Sequence, residues 1–187
     1  TGMSPGTLAA LEAALLAAMP GVRLTDGMGA AFAARMIKDA DEIEAIARAC
    51  AASSAGFATA YGAPRTGESE QAVARAIVAG GIAASAAWPA WTVPGWIAMT
   101  SGPGHYTRFV ERPRTRRIER GDLVWADVGF RTDGYWSDLC RAAVAGGPTA
   151  RQADRQRRIL AATAAGVAMA RPGIRASDVA RAVMSAV

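Results

Sequence analysis

The stretch GDLVWADVGFRTDGYWSDLCR, residues 121–141, predicts a β-hairpin with two aspartates on one face. The Asp133-Gly134 step favours a two-residue turn, because both residues can adopt the positive φ angles that such turns need. With that turn, Asp127 lies opposite Cys140. Side chains alternate along a strand, so Asp138 falls on the same face as Asp127, one diagonal step away. An odd-numbered loop would separate the two carboxylates instead.

Two carboxylates at this spacing indicate a metal site. The first strand alternates between two faces, with Leu123, Trp125 and Asp127 on one and Val124, Ala126 and Val128 on the other. A carboxylate buried without a partner is costly, and two on one sheet face suggest a divalent cation. The alternative is that Asp127 and Asp138 cap the backbone or pair with Arg141 in a protein without catalytic activity. The spacing alone leaves both interpretations open.

The hairpin resembles that of the pita-bread metallopeptidases, which include Xaa-Pro aminopeptidases, prolidases and, more distantly, methionine aminopeptidases. GDLVWADVG and GYWSDLCR match the family pattern of two aspartates at this separation. Further similar segments are RMIKDADEIEAIARAC (35–50), TGESE (66–70) and SGPG (101–104). The resemblance implies an α+β pita-bread fold of the creatinase and aminopeptidase type, in which two αβ halves pack around a pseudo-twofold axis. The chain is then expected to hold the first αβ half and the first helices of the second.

The resemblance also implies the chemistry of the site. Asp127 would chelate one metal ion and Asp138 would bridge two, with Mn, Co, Fe or Zn as the candidate divalent ions. The expected function is a metal-dependent hydrolase of the Xaa-Pro aminopeptidase or prolidase type, which cleaves peptide bonds with a metal-activated water. The remaining ligands of the family, one His and two Glu, would follow Val187. The isolated chain is therefore expected to bind metal poorly and to be inactive.

The substrate-facing histidine of the family is displaced in this sequence. Val110 occupies its position, and the nearest histidine is His105. A short insertion would bring His105 into the catalytic role, and a solvated loop histidine is the alternative. The departure keeps two other functions open: a non-peptidase, creatinase-like hydrolase or lyase of small molecules, and a metal-free relative without catalysis. The expectation for Trp88, Trp91 and Trp96 is that they pack a loop onto the core rather than line a substrate pocket.

The order of helix caps and helix-breaking residues predicts the domain organisation of the chain. Residues 1–34 are expected to be the tail of an N-terminal domain or a linker, and residues 35–187 the first part of the catalytic domain. Helix pairs are predicted before and after the hairpin, and the second pair reaches Val187 without a stop signal. This pattern suggests a duplicated unit whose second copy lacks its strands.

Each predicted helix has a start signal. Asp41 with Glu44 is expected to cap the first, Thr66 to open a second that ends at Gly80-Gly81, and Thr149 with Gln152 to form a capping box. Ser177 with Asp178 opens the last. The predicted buried stripes comprise Ile43, Ile46, Ala47, Cys50, Ser54, Phe57, Ala58 and Tyr61 in the first helix, and Ile159, Leu160, Thr163 and Val167 in the third.

Composition excludes several classes of protein. Hydrophobic residues make up 51% of the 187 residues, so a disordered chain is not expected. The net charge of +5 is carried by arginine, since Lys38 is the only lysine, and the basic run at 108–122 also contains glutamates. We interpret that run as a solvated connection, so no nucleic-acid partner is expected. The stretch between Arg75 and Arg108 lacks charge, but glycines and prolines interrupt it, which argues against a membrane-spanning helix.

Cysteine usage bears on location and partners. Cys50 and Cys140 are too few for a disulfide framework and are expected to be buried free thiols. With no leader sequence apparent, they predict a cytoplasmic protein. The expected partners are a peptide or small-molecule substrate, and either a second copy of the chain or the separate C-terminal half.

Overall fold

The structure is a computed structural model that describes residues 4–60, 66–103 and 112–186. The chain separates into two compact units, Thr1–Ala40 and Asp41–Val187. The first unit holds α1 (Pro5–Ala18), capped by the Ser4 side chain, and α2 (Met28–Met36), a helix that the sequence did not predict. The expected division into residues 1–34 and 35–187 stays a prediction.

The second unit combines helices with an antiparallel sheet, which makes it an α+β structure. Its elements in chain order are α3 (Ala40–Ala60), α4 (Glu70–Ser85), β1 (Thr92–Ser101), β2 (Leu123–Thr132), β3 (Tyr135–Trp136), β4 (Leu139–Val144), α5 (Ala150–Met169) and α6 (Ala176–Ser185). In the sheet, β2 pairs with β1 along one edge and with both β3 and β4 along the other. The two helix pairs before and after the strands are confirmed.

The predicted hairpin is present with the predicted register. Asp133 has a φ of 48° and Gly134 a φ of 94°, as a two-residue turn requires. Thr132 pairs with Tyr135, and Asp127 pairs with Cys140. The turn chemistry and the alternation of side chains therefore define the register of this sheet.

The two faces of β2 have different environments. On one face, Val124, Ala126, Val128, Phe130 and Thr132 are at most 1% exposed. Phe57 of α3 and Ile77 of α4 belong to the same core cluster, so these helices cover that face. On the other face, Asp127 is partly exposed, and Leu123 and Arg131 are exposed. We call this second surface the open face of the sheet.

The Gly80-Gly81 step does not end α4, which continues to Ser85. Both glycines lie at close helix and sheet contacts. A Cβ atom on Gly80 would overlap the Thr59 side chain of α3, and one on Gly81 would overlap the ring of Phe130. The prediction was wrong because these glycines allow close packing rather than terminating the helix. The start was also misplaced: Ser69, not Thr66, precedes the first residue of α4 and accepts from the backbone N–H of Ala72.

The predicted stripe of α3 was confirmed at Phe57 and was wrong for most of its other residues. Ile43 is 57% exposed, whereas the buried residues are Ala45, Ala49, Ala52, Ser53, Gly56 and Phe57. Small side chains face the core because α3 approaches α4 closely, as a Cβ on Gly56 would overlap the carbonyl oxygen of Ile77. Tyr61 lies outside the described residues. The helix begins at Ala40, so Asp41 lies in its first turn instead of capping it.

The predictions for α5 and α6, the helices that follow the sheet, were confirmed only in part. The capping box of Thr149 and Gln152 at the start of α5 is confirmed. The predicted stripe of α5 is wrong in this structure, since Ile159 and Leu160 are each 59% exposed and Val167 is 71% exposed. Helix α6 begins at Ala176, and Asp178 lies in its first turn.

The two cysteines lie at exposed positions of α3 and β4. Cys50 and Cys140 are free, but both are exposed, so the expectation of burial was wrong. Cys50 lies outside the core because the buried side of α3 is the one that carries the small residues. Among the described residues, none of the helices combines the length and apolar character needed to cross a bilayer.

Candidate metal centre

Asp127 and Asp138 meet on the open face of the sheet. Asp127 lies in the middle of β2, and Asp138 directly precedes β4. The pKa of Asp127 is raised, first by burial, then by the negative charge of Asp138 and by a hydrogen bond to it. The register Asp127–Cys140 places both carboxyl groups on the same face, as predicted, and their charges interact there.

One oxygen of this pair has no partner. Asp127 Oδ1 is buried and accepts no hydrogen bond from the described residues. A buried carboxylate oxygen without a partner costs free energy, which a bound cation would recover. Oxygen donors from two carboxylates suit hard and borderline divalent ions. The residues that are present thus fit a divalent metal.

Ser137 fixes the position of Asp138, its neighbour in the chain. Its backbone N–H donates to the carbonyl oxygen of Phe130 at 2.9 Å, and its Oγ accepts from the Phe130 N–H at 3.0 Å. Ser137 Oγ also lies 2.7 Å from Ser53 Oγ of α3. This buried anchor holds the short gap between β3 and β4 against β2 and α3. The sequence analysis missed Ser137, although its parity in the hairpin places it on the core face.

Trp96 of β1 borders the acidic pair. It pairs with Gly129, two residues from Asp127 along β2, and its side chain partly opposes the rise in the pKa of the Asp127 carboxyl group. Its indole ring lies 5.4 Å from that of Trp136 between ring centres. Trp88 is packed against the core as expected, but Trp91 is 73% exposed and Trp96 is 38% exposed. The expectation that all three tryptophans pack a loop onto the core was therefore wrong for Trp91 and Trp96.

Cys140 completes the immediate surroundings of Asp127. The two residues are paired across β2 and β4, so their side chains share the open face. Desolvation raises the pKa of the Cys140 thiol, and the charge of Asp127 raises it further. The thiol is thus held in its protonated form beside a negative site. Arg141 Nη1 donates to the carbonyl oxygen of Cys140 at 2.8 Å.

Glu70 forms a buried cluster of charges away from the acidic pair. It is the first residue of α4 and is fully buried. Burial alone would raise its pKa, yet hydrogen bonds from Arg114 and Ser101 outweigh that effect and lower it. Arg114 Nη2 lies 2.8 Å from Glu70 Oε1, and the Ser101 N–H donates to the same oxygen at 2.9 Å. The cluster ties the end of β1 to the start of α4.

A second ion pair extends this cluster. Arg116 Nη1 donates to Asp122 Oδ2 at 2.5 Å and to Ser101 Oγ at 2.8 Å. Ser101 and residues 112–122 are thereby held together on either side of the segment that contains His105. His105 itself lies outside the described residues, as does Val110, so its proposed role stays a prediction.

Within the described residues no group of three or more His, Cys, Asp or Glu side chains could hold a metal ion. Two carboxylates fill only part of the coordination sphere of a divalent ion, which usually needs several protein ligands. The acidic pair on its own thus provides a partial site.

The chain is similar in sequence to known metallopeptidases. A family model described as metallopeptidase family M24 matches residues 44–187. A methionine aminopeptidase of Treponema pallidum is 35% identical over 95 residues, which are 51% of this chain and 37% of that protein. An Xaa-Pro dipeptidase of Pyrococcus horikoshii is 41% identical over 63 residues, which are 34% of this chain and 18% of that protein.

Solved structures show the same fold. The dipeptidase PepE from Mycobacterium ulcerans aligns over 99% of this chain and 47% of its own, with a TM-score of 0.80 and 27% identity. The prolidase from Pyrococcus furiosus aligns over 84% of this chain and 45% of its own, with a TM-score of 0.72 and 28% identity. These similarities confirm the expected pita-bread fold, of which the chain covers about half. It spans less than half the length of each relative named here.

Proposed function

Because this chain belongs to metallopeptidase family M24, we propose that it supplies the paired aspartates of a two-metal site that hydrolyses Xaa-Pro peptides. The substrate class comes from the Xaa-Pro dipeptidases and prolidases to which the chain is similar. The remaining ligands are proposed to come from the other half of the catalytic domain, since the chain covers only about half of the similar structures.

The observation that carries this proposal is the buried Oδ1 atom of Asp127 without a hydrogen-bond partner among the described residues. In a protein without a ligand for it, this oxygen would be better placed in water or replaced by an apolar group. Asp138 adds a second negative charge on the same face of the sheet, and this charge raises the pKa of Asp127. Repulsion between two such carboxylates is relieved when a cation binds between them.

The roles of the residues follow from their positions. Asp127, held in the middle of β2, would bind one ion, and Asp138, at the more exposed edge, would bridge to a second. The bound ions, with Mn, Co, Fe and Zn as candidates, would supply a nucleophilic water at neutral pH and polarise the scissile carbonyl. Trp96, on the adjacent strand β1, stabilises the charged form of Asp127 and would help to orient its carboxylate.

Hydrolysis by the assembled domain tests the proposal. The chain is produced together with the other half of its catalytic domain, and cleavage of an Xaa-Pro dipeptide is assayed before and after treatment with a chelator. Activity should disappear with the chelator and return with one of the four candidate ions. Asp138→Asn should lower kcat/KM by about 100-fold or more, since loss of even a supporting residue costs 10–100-fold.

The outcomes of that assay separate the alternatives. Cleavage of a small amide or amidine but of no peptide would assign the chain to the non-peptidase, creatinase-like class. Failure of every ion to bind to the assembled domain would assign it to the metal-free relatives.

We also propose that the chain associates, either with a second copy or with the separate half of the domain. Large apolar side chains remain exposed on α5: Ile159 and Leu160 at 59% each and Val167 at 71%. Surfaces of this kind usually mark interfaces. The two free cysteines are the observation that supports the proposed cytoplasmic location.

A further inference from the structure

We propose that Trp96 and Trp136 form an aromatic shelf that binds the apolar side chain of the substrate residue next to the scissile bond. The aromatic shelf is defined as the two indole rings on the open face of the sheet. Binding of a side chain there would make large apolar residues preferred over small ones. The inference rests on the proposed function, because it assigns a substrate contact to the same site.

The two rings pack against each other yet remain accessible. Their centres are 5.4 Å apart and their planes are inclined by 31°. Trp96 is 38% exposed and Trp136 is 48% exposed. The guanidinium carbon of Arg131 lies 5.6 Å from the Trp136 ring centre, within the range of a cation–π contact. Covering this accessible apolar area with a ligand would release free energy in proportion to the area buried.

Two glycines make room for the aromatic shelf. A Cβ atom on Gly129 of β2 would overlap the ring of Trp96, and one on Gly95 of β1 would overlap the ring of Trp136. Glycine inside a strand weakens it and often marks a place where another group approaches the backbone closely. Both strands thus carry a glycine at the points where the rings contact the sheet. The arrangement positions the rings and leaves their outer surfaces accessible.

The aromatic shelf lies next to the acidic pair. Trp96 pairs with Gly129, which lies two residues after Asp127 on the same face of β2, and Trp136 stands two residues before Asp138 in the chain. Adjacent Cα atoms of a peptide are about 3.8 Å apart. A peptide whose scissile carbonyl lies at the acidic pair can therefore place a neighbouring side chain on the rings. An apolar surface beside a few fixed polar groups is the usual composition of a small-ligand site.

Substitutions of Trp136 test the aromatic shelf and leave Trp96, the ring on the strand next to Asp127, unchanged. In the assembled catalytic domain, kcat/KM is measured for the dipeptides Phe-Pro and Ala-Pro. We expect the ratio of the two values to fall about tenfold in Trp136→Ala, since apolar pockets discriminate side chains by factors of this order. Trp136→Phe, which keeps an aromatic ring, should recover most of the ratio.

Leu123→Ala is the matched control. It removes an apolar side chain of similar exposure, 46% against 48%, from the same sheet face, at the other end of β2 from the aromatic shelf. Its Phe-Pro to Ala-Pro ratio should stay within about a factor of two of the parent, as for an ordinary surface substitution. An unchanged ratio in Trp136→Ala, or an equal fall in Leu123→Ala, would overturn the inference.

If the parent shows no turnover, the proposed function is contradicted. The aromatic shelf is then tested by a binding measurement. The indole N–H resonances of Trp96 and Trp136 are then followed by NMR while Phe-Pro or Ala-Pro is added. A selective response to Phe-Pro supports the aromatic shelf. Equal responses to both dipeptides, or none, contradict it.

Discussion

Asp127 carries an electrostatic cost in the metal-free chain that depends on pH. Burial and the charge of Asp138 raise its pKa above the ordinary value. The stability contributed by the protonated form is complete below the unfolded pKa and is lost as pH rises through the higher folded pKa. Asp127→Asn removes this loss, so the variant should gain stability relative to the parent as pH increases from about 4 to about 7.

Urea unfolding in the presence of a chelator measures this difference across the pH range. A difference in the free energy of unfolding between parent and Asp127→Asn that stays constant with pH would show that the carboxyl group titrates alike in the folded and unfolded chains. Excess metal should stabilise the parent more than Asp127→Asn, because the variant has lost a ligand.

Glu70 should show the opposite dependence on pH. Its pKa is lowered in the folded chain, because the hydrogen bonds from Arg114 and Ser101 outweigh the effect of burial. Its contribution to stability is therefore present above the unfolded pKa and is lost as pH falls through the lower folded pKa. We expect Glu70→Gln to destabilise the chain by about 3 kcal/mol at neutral pH, the lower end for a broken buried ion pair.

Thermal or urea unfolding at neutral and acidic pH checks this expectation, and the destabilisation should shrink in acid. Glu119→Gln is the matched control, because Glu119 pairs with Arg116 at 3.9 Å with its side chain 78% exposed. Its effect should stay within about 0.5 kcal/mol. Equal losses in the two variants would contradict the assignment of Glu70 as a buried anchor.

At the scale of elements, α4 depends on glycines that a helix would normally avoid. Gly81→Ala should destabilise the chain by about 1–3 kcal/mol as an overpacked core does, although alanine is the better helix former by about 1 kcal/mol. The added Cβ would lie 2.8 Å from the carbonyl oxygen of Ala52 and would overlap the rigid ring of Phe130. Denaturant unfolding measures the sum of these effects.

Gly29→Ala in α2 provides the control for that substitution. A Cβ atom at Gly29 meets nothing within 4 Å, so the helix gains propensity without strain. Stability should stay unchanged or rise slightly. If Gly81→Ala stabilised the chain instead, α4 would have to be able to move away from α3 and the sheet to accommodate the added Cβ atom.

The elements that the sequence predicted well are those governed by local rules. The register of β2, β3 and β4 follows from the Asp133-Gly134 turn and the alternation of side chains, and the start of α5 follows from its capping box. These features need no knowledge of distant partners. The placement of Asp127 and Asp138 on the same face was predictable for the same reason.

The features that the sequence did not reveal depend on distant packing. The core face of α3 is lined by alanine, serine and glycine, so a search for large apolar residues selected the wrong side of the helix. The ion pair of buried Glu70 with half-buried Arg114 joins residues far apart in the chain, as does the contact of Ser53 with Ser137. Such pairs become recognisable only when the helices are placed on the sheet.

At the scale of the whole molecule, the exposed apolar side chains predict association. Sedimentation velocity of the isolated chain should show a dimer or larger species, because Ile159, Leu160 and Val167 are 59–71% exposed. Addition of the other half of the domain should replace that species with a defined complex. A monomer at all concentrations, with no binding to the other half, would contradict the proposed association.

Metal binding to the assembled domain shows whether Asp127 and Asp138 are metal ligands. Calorimetric titration with Mn²⁺ should show two ions bound per domain, much weaker binding by the isolated chain, and loss of binding in the double variant Asp127→Asn/Asp138→Asn. The isolated chain binds weakly in this account because its acidic pair supplies only part of a coordination sphere. Unchanged binding of two ions by the double variant would show that the paired aspartates are not the metal ligands.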